Sequence, residues 1–431
     1  MNDIYNFIDY RGATPTKITN GIPLVTAKNV KSGYIDYTID DYISEEEFKE
    51  RQQRGISKKG DILFTTEAPL GNAALADMEK FSAGQRLITF QQYGSKNELI
   101  NYVMLMFILS DFFQQQLYVN KTGSTVAGIK AAILKTLWIP VPPYNEQLRI
   151  SNTLKSAINL IDSISKNKEI LSTSISNTKS KILDLAIRGK LVPQDPNDEP
   201  ASVLLERISA EKEELIKQGK IKRDKKESVI FKGDDNSYYE KLPDEKINCI
   251  DKQLPFELPD GWKWCNLSMI GTTNIGLTYR PADIDTQGII VLRSCNIVND
   301  RINRTDLVRV KTSIRENQFV QKDDILICAR NGSRSLVGKC ALIPELAEKV
   351  SFGAFMAVYR TPYFSYIVHF LRSNFFRSVF DDSNSTAINQ LTQDMLKRAV
   401  VPLPPLAEQL RIVDKITELF ERLNCIEESL N

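Results

Sequence analysis

Leu134-Lys-Thr-Leu-Trp-Ile-Pro-Val-Pro-Pro-Tyr-Asn-Glu-Gln-Leu-Arg-Ile150 returns as Leu396-Lys-Arg-Ala-Val-Val-Pro-Leu-Pro-Pro-Leu-Ala-Glu-Gln-Leu-Arg-Ile412, with ten of the seventeen positions identical. Pro142, Pro143 and Glu146 recur as Pro404, Pro405 and Glu408, a constant spacing of 262 residues. That spacing is far longer than any solenoid period, so the chain is a tandem duplication of a large unit. Each Pro-Pro disfavours helix upstream and leaves a helix free to start behind it.

Behind the first copy, Ile150, Leu154, Ala157, Ile161, Ile164, Lys168, Leu171, Ile175, Thr178, Ile182 and Leu185 recur with alternating spacings of four and three. This is a heptad seam. Behind the second copy, Ile412, Ile416, Leu419, Leu423, Ile426 and Leu430 repeat it. Two helices with narrow apolar stripes bury them most economically against each other, which predicts a two-helix coiled coil; the alternative is that each helix packs on its own domain.

A chain of 431 residues, 42% hydrophobic and 26% charged, has room for two or three domains. No apolar run reaches the length of a membrane span and the N-terminus has no signal pattern, so a cytoplasmic protein is expected. The six cysteines lie in the second half without CxxC spacing, and neither a zinc site nor a disulfide framework is read from them. The single histidine, His369, falls in an apolar helical stretch. A net charge of +2 confines any nucleic-acid contact to local patches.

In the first copy, 22–30, 61–65 and 86–91 read as strands and 100–118 as one long helix. The second copy offers counterparts in the same order. Gly21-Ile-Pro-Leu-Val-Thr-Ala-Lys-Asn-Val30 matches Gly288-Ile-Ile-Val-Leu-Arg-Ser-Cys-Asn-Ile297, and Lys59-Gly-Asp-Ile-Leu-Phe64 matches Lys322-Asp-Asp-Ile-Leu-Ile327. Elsewhere the copies diverge, as expected if each presents a different recognition surface on one scaffold. Between them, glycine and prolines in 187–200 end the first long helix, a shorter helix is expected over 201–217, and 219–235 reads as a charged, flexible linker. Pro255-Phe-Glu-Leu-Pro-Asp-Gly-Trp-Lys-Trp264 opens the second copy and has no counterpart before Met1.

Catalytic motifs do not survive inspection. Val141-Pro-Pro-Tyr144 has the form of an adenine-methyltransferase motif, but valine cannot accept from the amine being methylated, and the second copy, Leu403-Pro-Pro-Leu406, lacks the tyrosine as well. Gly332-Ser-Arg-Ser-Leu-Val-Gly-Lys-Cys340 has the wrong glycine spacing for a P-loop and a cysteine where the magnesium-binding hydroxyl belongs. What remains is polar and basic. Tyr10, Arg11, Lys28, Asn29, Lys31, Glu67, Gln85, Arg86, Ser124 and Thr125 fall in loops or at strand ends of the first copy. Tyr279, Arg280, Arg293, Asn296, Arg330, Asn331, Arg334, Ser335, Ser385 and Thr386 do so in the second. Arg and Lys neutralise phosphates and Asn, Gln and Arg read base edges, so the set describes a DNA-binding face; singly, each is ordinary surface. Aligning Lys59 with Lys322 places Glu67 opposite Arg330. A carboxylate there accepts from a cytosine amino group or points into solvent, whereas a guanidinium reads guanine or holds phosphate.

The twice-used Pro-Pro-x-x-Glu-Gln-x-x-Ile before a heptad helix, 21–30, Leu-Ala-Ile-Arg-Gly-Lys-Leu-Val-Pro-Gln at 185–194 and Leu-Pro-Asp-Gly-Trp at 258–262 together resemble the DNA-specificity subunits of type I restriction-modification systems, over almost the whole length. The resemblance implies an α+β, pseudo-twofold chain. Target-recognition domains at 1–143 and 254–405 would be separated by antiparallel conserved helices, a helical region at 144–253 and a second, shorter helix at 406–431. It implies a subunit without its own active site or bound cofactor, reading a split DNA target. Its partners would be double-stranded DNA, two methyltransferase subunits and two restriction-translocase subunits, with S-adenosylmethionine, ATP and Mg2+ used in those partners. Glu146, Gln147, Arg149, Glu408, Gln409 and Arg411 are candidates for methyltransferase docking, although a glutamate at each helix start also suits the positive end of the helix dipole. A stand-alone methyltransferase or nuclease, and a coiled-coil adaptor that binds only protein, are the alternatives. The absent opening strand and the shorter second helix are the departures from the family pattern.

Overall fold

The computed structural model describes all residues except 13, 94–99, 124–126, 220–227, 243, 382–389 and 431, and the side chains of 379–381. The chain forms two compact units, Met1–Lys166 and Asn167–Asn431.

In the first unit an antiparallel four-stranded sheet runs in the order Tyr5–Asp9, Leu87–Gln92, Ile62–Thr65, Ala73–Leu75. Every residue of Ile62–Thr65 is buried, because both faces of the sheet are covered. Tyr5, Phe64 and Phe90 pack on one face beneath the helices Asn101–Leu109 and Asp111–Val119. Ile8, Leu63 and Leu87 pack on the other with Val25, Ala27 and Val30. A small second sheet pairs Ile22–Val25 antiparallel with Tyr42–Ile43 and parallel with Ser82–Ala83.

The second unit repeats this plan. Its four-stranded sheet is Thr272–Ile275, Met356–Arg360, Ile325–Cys328, Cys340–Leu342, and its smaller sheet joins Ile284–Leu292 to Val308–Val310 and, in parallel, to Val350–Phe352. The repetition reaches individual hydrogen bonds. Asp61 Oδ2 accepts from the Lys58 N–H at 2.8 Å, and Asp324 Oδ2 accepts from the Gln321 N–H at 2.8 Å. The strands expected in the first copy are therefore present, those read over 22–30 and 61–65 as the shorter Ile22–Val25 and Ile62–Thr65, and that read over 86–91 shifted by one residue to Leu87–Gln92.

Two expectations about secondary structure are corrected. The helix expected over 100–118 is broken at Ser110, whose backbone is extended and whose N–H and hydroxyl both donate to the Phe107 carbonyl. Ser373 repeats the break, donating twice to Phe370 between Phe364–Arg372 and Asn374–Asp381. A serine that satisfies a carbonyl in the last turn of a helix and then adopts β geometry ends it despite apolar neighbours. Of the linker expected over 219–235, residues 220–227 lie outside the described residues and Val229–Lys232 is a strand, which joins Tyr238–Lys241 and Ile247–Cys249 in a three-stranded sheet with the Phe231 and Tyr239 rings stacked at 5.8 Å.

The long helix is Tyr144–Ile187 and the shorter ones are Ala201–Lys217 and Leu406–Ser429. Within the second unit Ile182, Leu183, Ala186 and Ile187 share a core with Trp262, Ile412 and Ile416, and Lys179 pairs with Glu427 at 2.7 Å. The seam expected along the whole of the long helix is not buried throughout: Ile175 and Ile182 are covered, whereas Ile161, Ile164 and Leu171 are 60%, 58% and 40% exposed. His369 lies inside the core, edge-on to Phe420, and burial pulls its pKa down to about 3. No helix among the described residues is long and apolar enough to cross a membrane, and no cluster of His, Cys, Asp or Glu among them suits a metal ion.

Candidate nucleic-acid interface

In each unit the strand after the repeated aspartate ends in a loop, and in each the loop is pinned by the same backbone bonds. The Thr66 N–H donates to the Arg86 carbonyl at 3.0 Å, and the Ala329 N–H donates to the Phe355 carbonyl at 2.9 Å. One residue further, Glu67 forms an isolated bridge with Gly128, and Arg330 forms one with Gln390. The equivalence of Glu67 and Arg330 read from the sequence is thus met in the backbone, and Arg86 stands where Phe355 stands.

The side chains at these matched positions interact differently. Glu67 accepts from Arg86 in an ion pair of 3.0 Å, both partners being about half exposed. A carboxylate neutralised in this way presents no lone charge to DNA. In the second unit the Arg330 guanidinium lies 5.4 Å from the centre of the Phe355 ring, and that ring is 60% exposed. A cation over an aromatic face keeps its outward N–H groups free to donate. Asn331, beside it, donates to Ser294 at 3.3 Å and accepts from the Ser333 N–H at 3.0 Å. Arg334 and Ser335 are exposed on the same turn, and Ser335 bonds Ser333. Ser124, Thr125, Ser385 and Thr386 lie outside the described residues, in the segments that lead to Gly128 and Gln390.

Several candidates belong to the scaffold instead. Tyr10 is buried; its hydroxyl donates to the Gly55 carbonyl at 2.6 Å and its ring carries the Arg51 guanidinium at 4.8 Å. Asn29 and Asn296 are also buried and make the same set of bonds. Asn29 accepts from Thr26 N–H and donates to the carbonyls of Asp36 and Ile39; Asn296 accepts from Arg293 N–H and donates to those of Asn303 and Asp306. An amide with its bonds filled by backbone locks a turn and cannot read a base. Tyr279 packs in a small apolar cluster with Leu277 and Val310.

Other candidates are exposed or half-buried, and engaged. Arg11 is chelated by Asp9, a bond that holds its pKa above the ordinary value, with the Glu67 charge adding to the effect. Gln85 accepts from the Thr14 hydroxyl, Arg293 pairs with Asp306 at 2.9 Å, and Lys31 lies 3.9 Å from Asp36. Lys28 and Arg280 are exposed. Phe355, which no sequence signal singled out, is the addition: an aromatic beside a strand reads as core, and only its exposure separates it.

The paired Glu-Gln-x-Arg motifs likewise divide. Gln147 and Gln409 are buried and each donates to the first proline of its Pro-Pro, Pro142 at 2.8 Å and Pro404 at 3.0 Å. Gln147 also accepts from the Ile100 N–H. Glu408 is buried on the Trp262 indole N–H, and Arg411 is held by both oxygens of Asp198. Docking of a partner subunit directly through Gln147, Glu408 or Gln409 is excluded by burial. Glu146 and Arg149 are exposed.

Residues 9–172 and 259–431 each match the family model of the type I restriction modification DNA specificity domain. Over 260 residues, 58% of this chain and 41% of the relative, the sequence is 33% identical to the specificity subunit of the type I restriction enzyme EcoAI of Escherichia coli. Over 338 residues, 66% of this chain and 53% of the relative, it is 28% identical to that of EcoEI, also of Escherichia coli. The chain thus spans about half the length of these two relatives. Among solved structures, a chain from work on complex assembly and conformational transition of the type I R-M system aligns with a TM-score of 0.60 at 14% identity, covering 99% of this chain and 93% of that one. The HsdS subunit from Thermoanaerobacter tengcongensis aligns at 0.50 and 15% identity, covering 99% and 88%. At those identities the likeness establishes a shared fold.

Proposed function

This chain belongs to the type I restriction-modification DNA specificity family, and on that premise we propose that it reads DNA sequence for a type I restriction-modification complex and performs no chemistry on DNA itself. The observation that carries this reading is one scaffold used twice with different chemistry at the same loop. Glu67 with Arg86 and Arg330 with Phe355 occupy matched backbone positions. A duplicated enzyme would keep its reacting groups in both copies, and an adaptor would keep both faces alike; a reader of an asymmetric, two-part target needs them to differ.

In this proposal each unit contacts one part of the target. The heptad stripe of Leu406–Ser429 pairs antiparallel with the covered part of the first stripe, from Ile175 to Ile187, and the length of Tyr144–Ile187 fixes the distance between the two parts. Two methyltransferase subunits bring S-adenosylmethionine, and two restriction-translocase subunits bring ATP and Mg2+. The test is methyl transfer with the purified chain. Alone with S-adenosylmethionine it is expected to show no turnover, and with methyltransferase subunits it is expected to confer methylation at one sequence. Turnover by the chain alone would replace this reading with that of a stand-alone enzyme.

A further inference from the structure

Phe355 stands just before the strand Met356–Arg360, between the buried side chains of Phe352 and Met356, and is itself 60% exposed. A single exposed aromatic is ordinary surface. This one is fixed in place by the loop it faces. Its carbonyl accepts from the N–H groups of both Ala329 and Arg330, at 2.9 and 3.0 Å, so the two backbones are tied together where the side chains leave them. The Arg330 guanidinium then lies 5.4 Å from the ring centre, and Arg330 is exposed as well. Ring and cation form one pre-set surface, half apolar and half donor.

This arrangement limits what the ring can meet on DNA. Arg330 occupies one of its faces, whereas an aromatic wedge between base steps needs both. The paired bases of a duplex offer only their edges to the rest of the ring, and in unmodified DNA the apolar group on those edges in the major groove is the C5-methyl of thymine. The guanidinium beside it donates to the O6 and N7 acceptors of guanine. Its 5.4 Å separation from the ring centre is enough to reach a neighbouring base pair, at about 3.4 Å of rise per step. The first unit has no such surface, because Arg86 stands in the place of Phe355 and is paired with Glu67 at 3.0 Å.

We propose that Phe355 is a specificity-determining residue that contacts the C5-methyl group of a thymine in the major groove, at the base pair next to the guanine held by Arg330. The second unit then reads two adjacent base pairs through one side-chain pair, a methyl by the ring and an acceptor pair by the cation. This inference rests on the reading of the chain as a DNA-specificity subunit and adds to it a chemical group on the target.

The test selects bound duplexes from two randomised libraries, one synthesised with thymidine and one with deoxyuridine in its place, using the chain assembled with methyltransferase subunits. Deoxyuridine pairs as thymidine does and lacks only the methyl. The thymidine library should yield a motif with a thymine beside a guanine in one of its parts, and the deoxyuridine library should show that one preference reduced by about fourfold, the worth of one buried methyl. Phe355→Ala should remove the difference between the libraries at that position and leave the other part of the motif unchanged. Identical motifs from the two libraries overturn the proposal, as does a difference that survives Phe355→Ala; either result would leave Phe355 as a support for Arg330 alone. The library comparison alters only the DNA, so it decides the matter even if the variant fails to fold. Enrichment of no motif from the thymidine library would instead remove the DNA-reading function, and this inference with it.

Discussion

The guanidinium of Arg330 lies over the ring of Phe355, at the two backbone positions where the first unit holds Glu67 against Arg86. In one unit the cation is outward and supported on an aromatic ring; in the other it is neutralised. Arg330→Ala should therefore cost about 1–3 kcal/mol and relax a single position in one part of the DNA target, leaving the other part intact. Competition binding against single-base variants of the target measures this. A loss that is equal on every sequence, with about one unit less salt slope, would make Arg330 a phosphate contact instead.

Glu67 is expected to act by silencing Arg86. Removing its charge in Glu67→Gln leaves an uncompensated guanidinium at the loop, so affinity for nonspecific DNA should rise and the salt slope steepen by about one unit. Titrations at several salt concentrations check this. An unchanged slope with a lost base preference would mean that Glu67 reads a base directly.

The tandem duplication was legible because Pro-Pro-x-x-Glu-Gln-Leu-Arg is constrained in both copies by local geometry: Gln147 and Gln409 must reach back to their prolines. The match of Glu67 to Arg330 was legible through Lys59 and Lys322, since a strand preserves register from a nearby landmark. Asn29 and Asn296 were matched correctly but given the wrong role. An asparagine that locks a turn and one that reads adenine have the same composition signal, and only burial separates them. The break at Ser110 was hidden by apolar residues on both sides, and the strand Val229–Lys232 by charged ones. Tertiary packing, which a one-dimensional pattern does not contain, decided each of these.

Asn29→Ala and Asn296→Ala should each destabilise by about 1–3 kcal/mol, because two part-buried carbonyls and one N–H lose their partner at once. Urea unfolding should show a lower midpoint with an unchanged m-value, and the folded fraction should keep its DNA sequence preference. A lost preference at full stability would return both asparagines to the DNA face.

Glu408 makes stability depend on pH. Burial raises its carboxyl above the ordinary value of 4.5, opposed by the Trp262 bond and the Arg411 charge. The folded state then holds the proton more tightly than the unfolded state. The stability contributed is full below 4.5 and declines as pH rises from 4.5 through the raised folded value. Glu408→Gln keeps an acceptor for the indole and should flatten that part of the profile. Urea midpoints measured across the acidic range give the comparison, and identical slopes for the two proteins would refute the assignment.

The most direct test maps methylated adenines in cells that hold the partner methyltransferase with the intact gene, without it, or with a seven-residue heptad inserted after Ser165. The intact gene should produce one split motif, and its absence should erase that motif. The insertion keeps the stripe in phase, so it should change only the spacer between the two parts. A motif that persists without the gene would contradict the specificity role, and a spacer unaltered by the insertion would contradict the helical spacer.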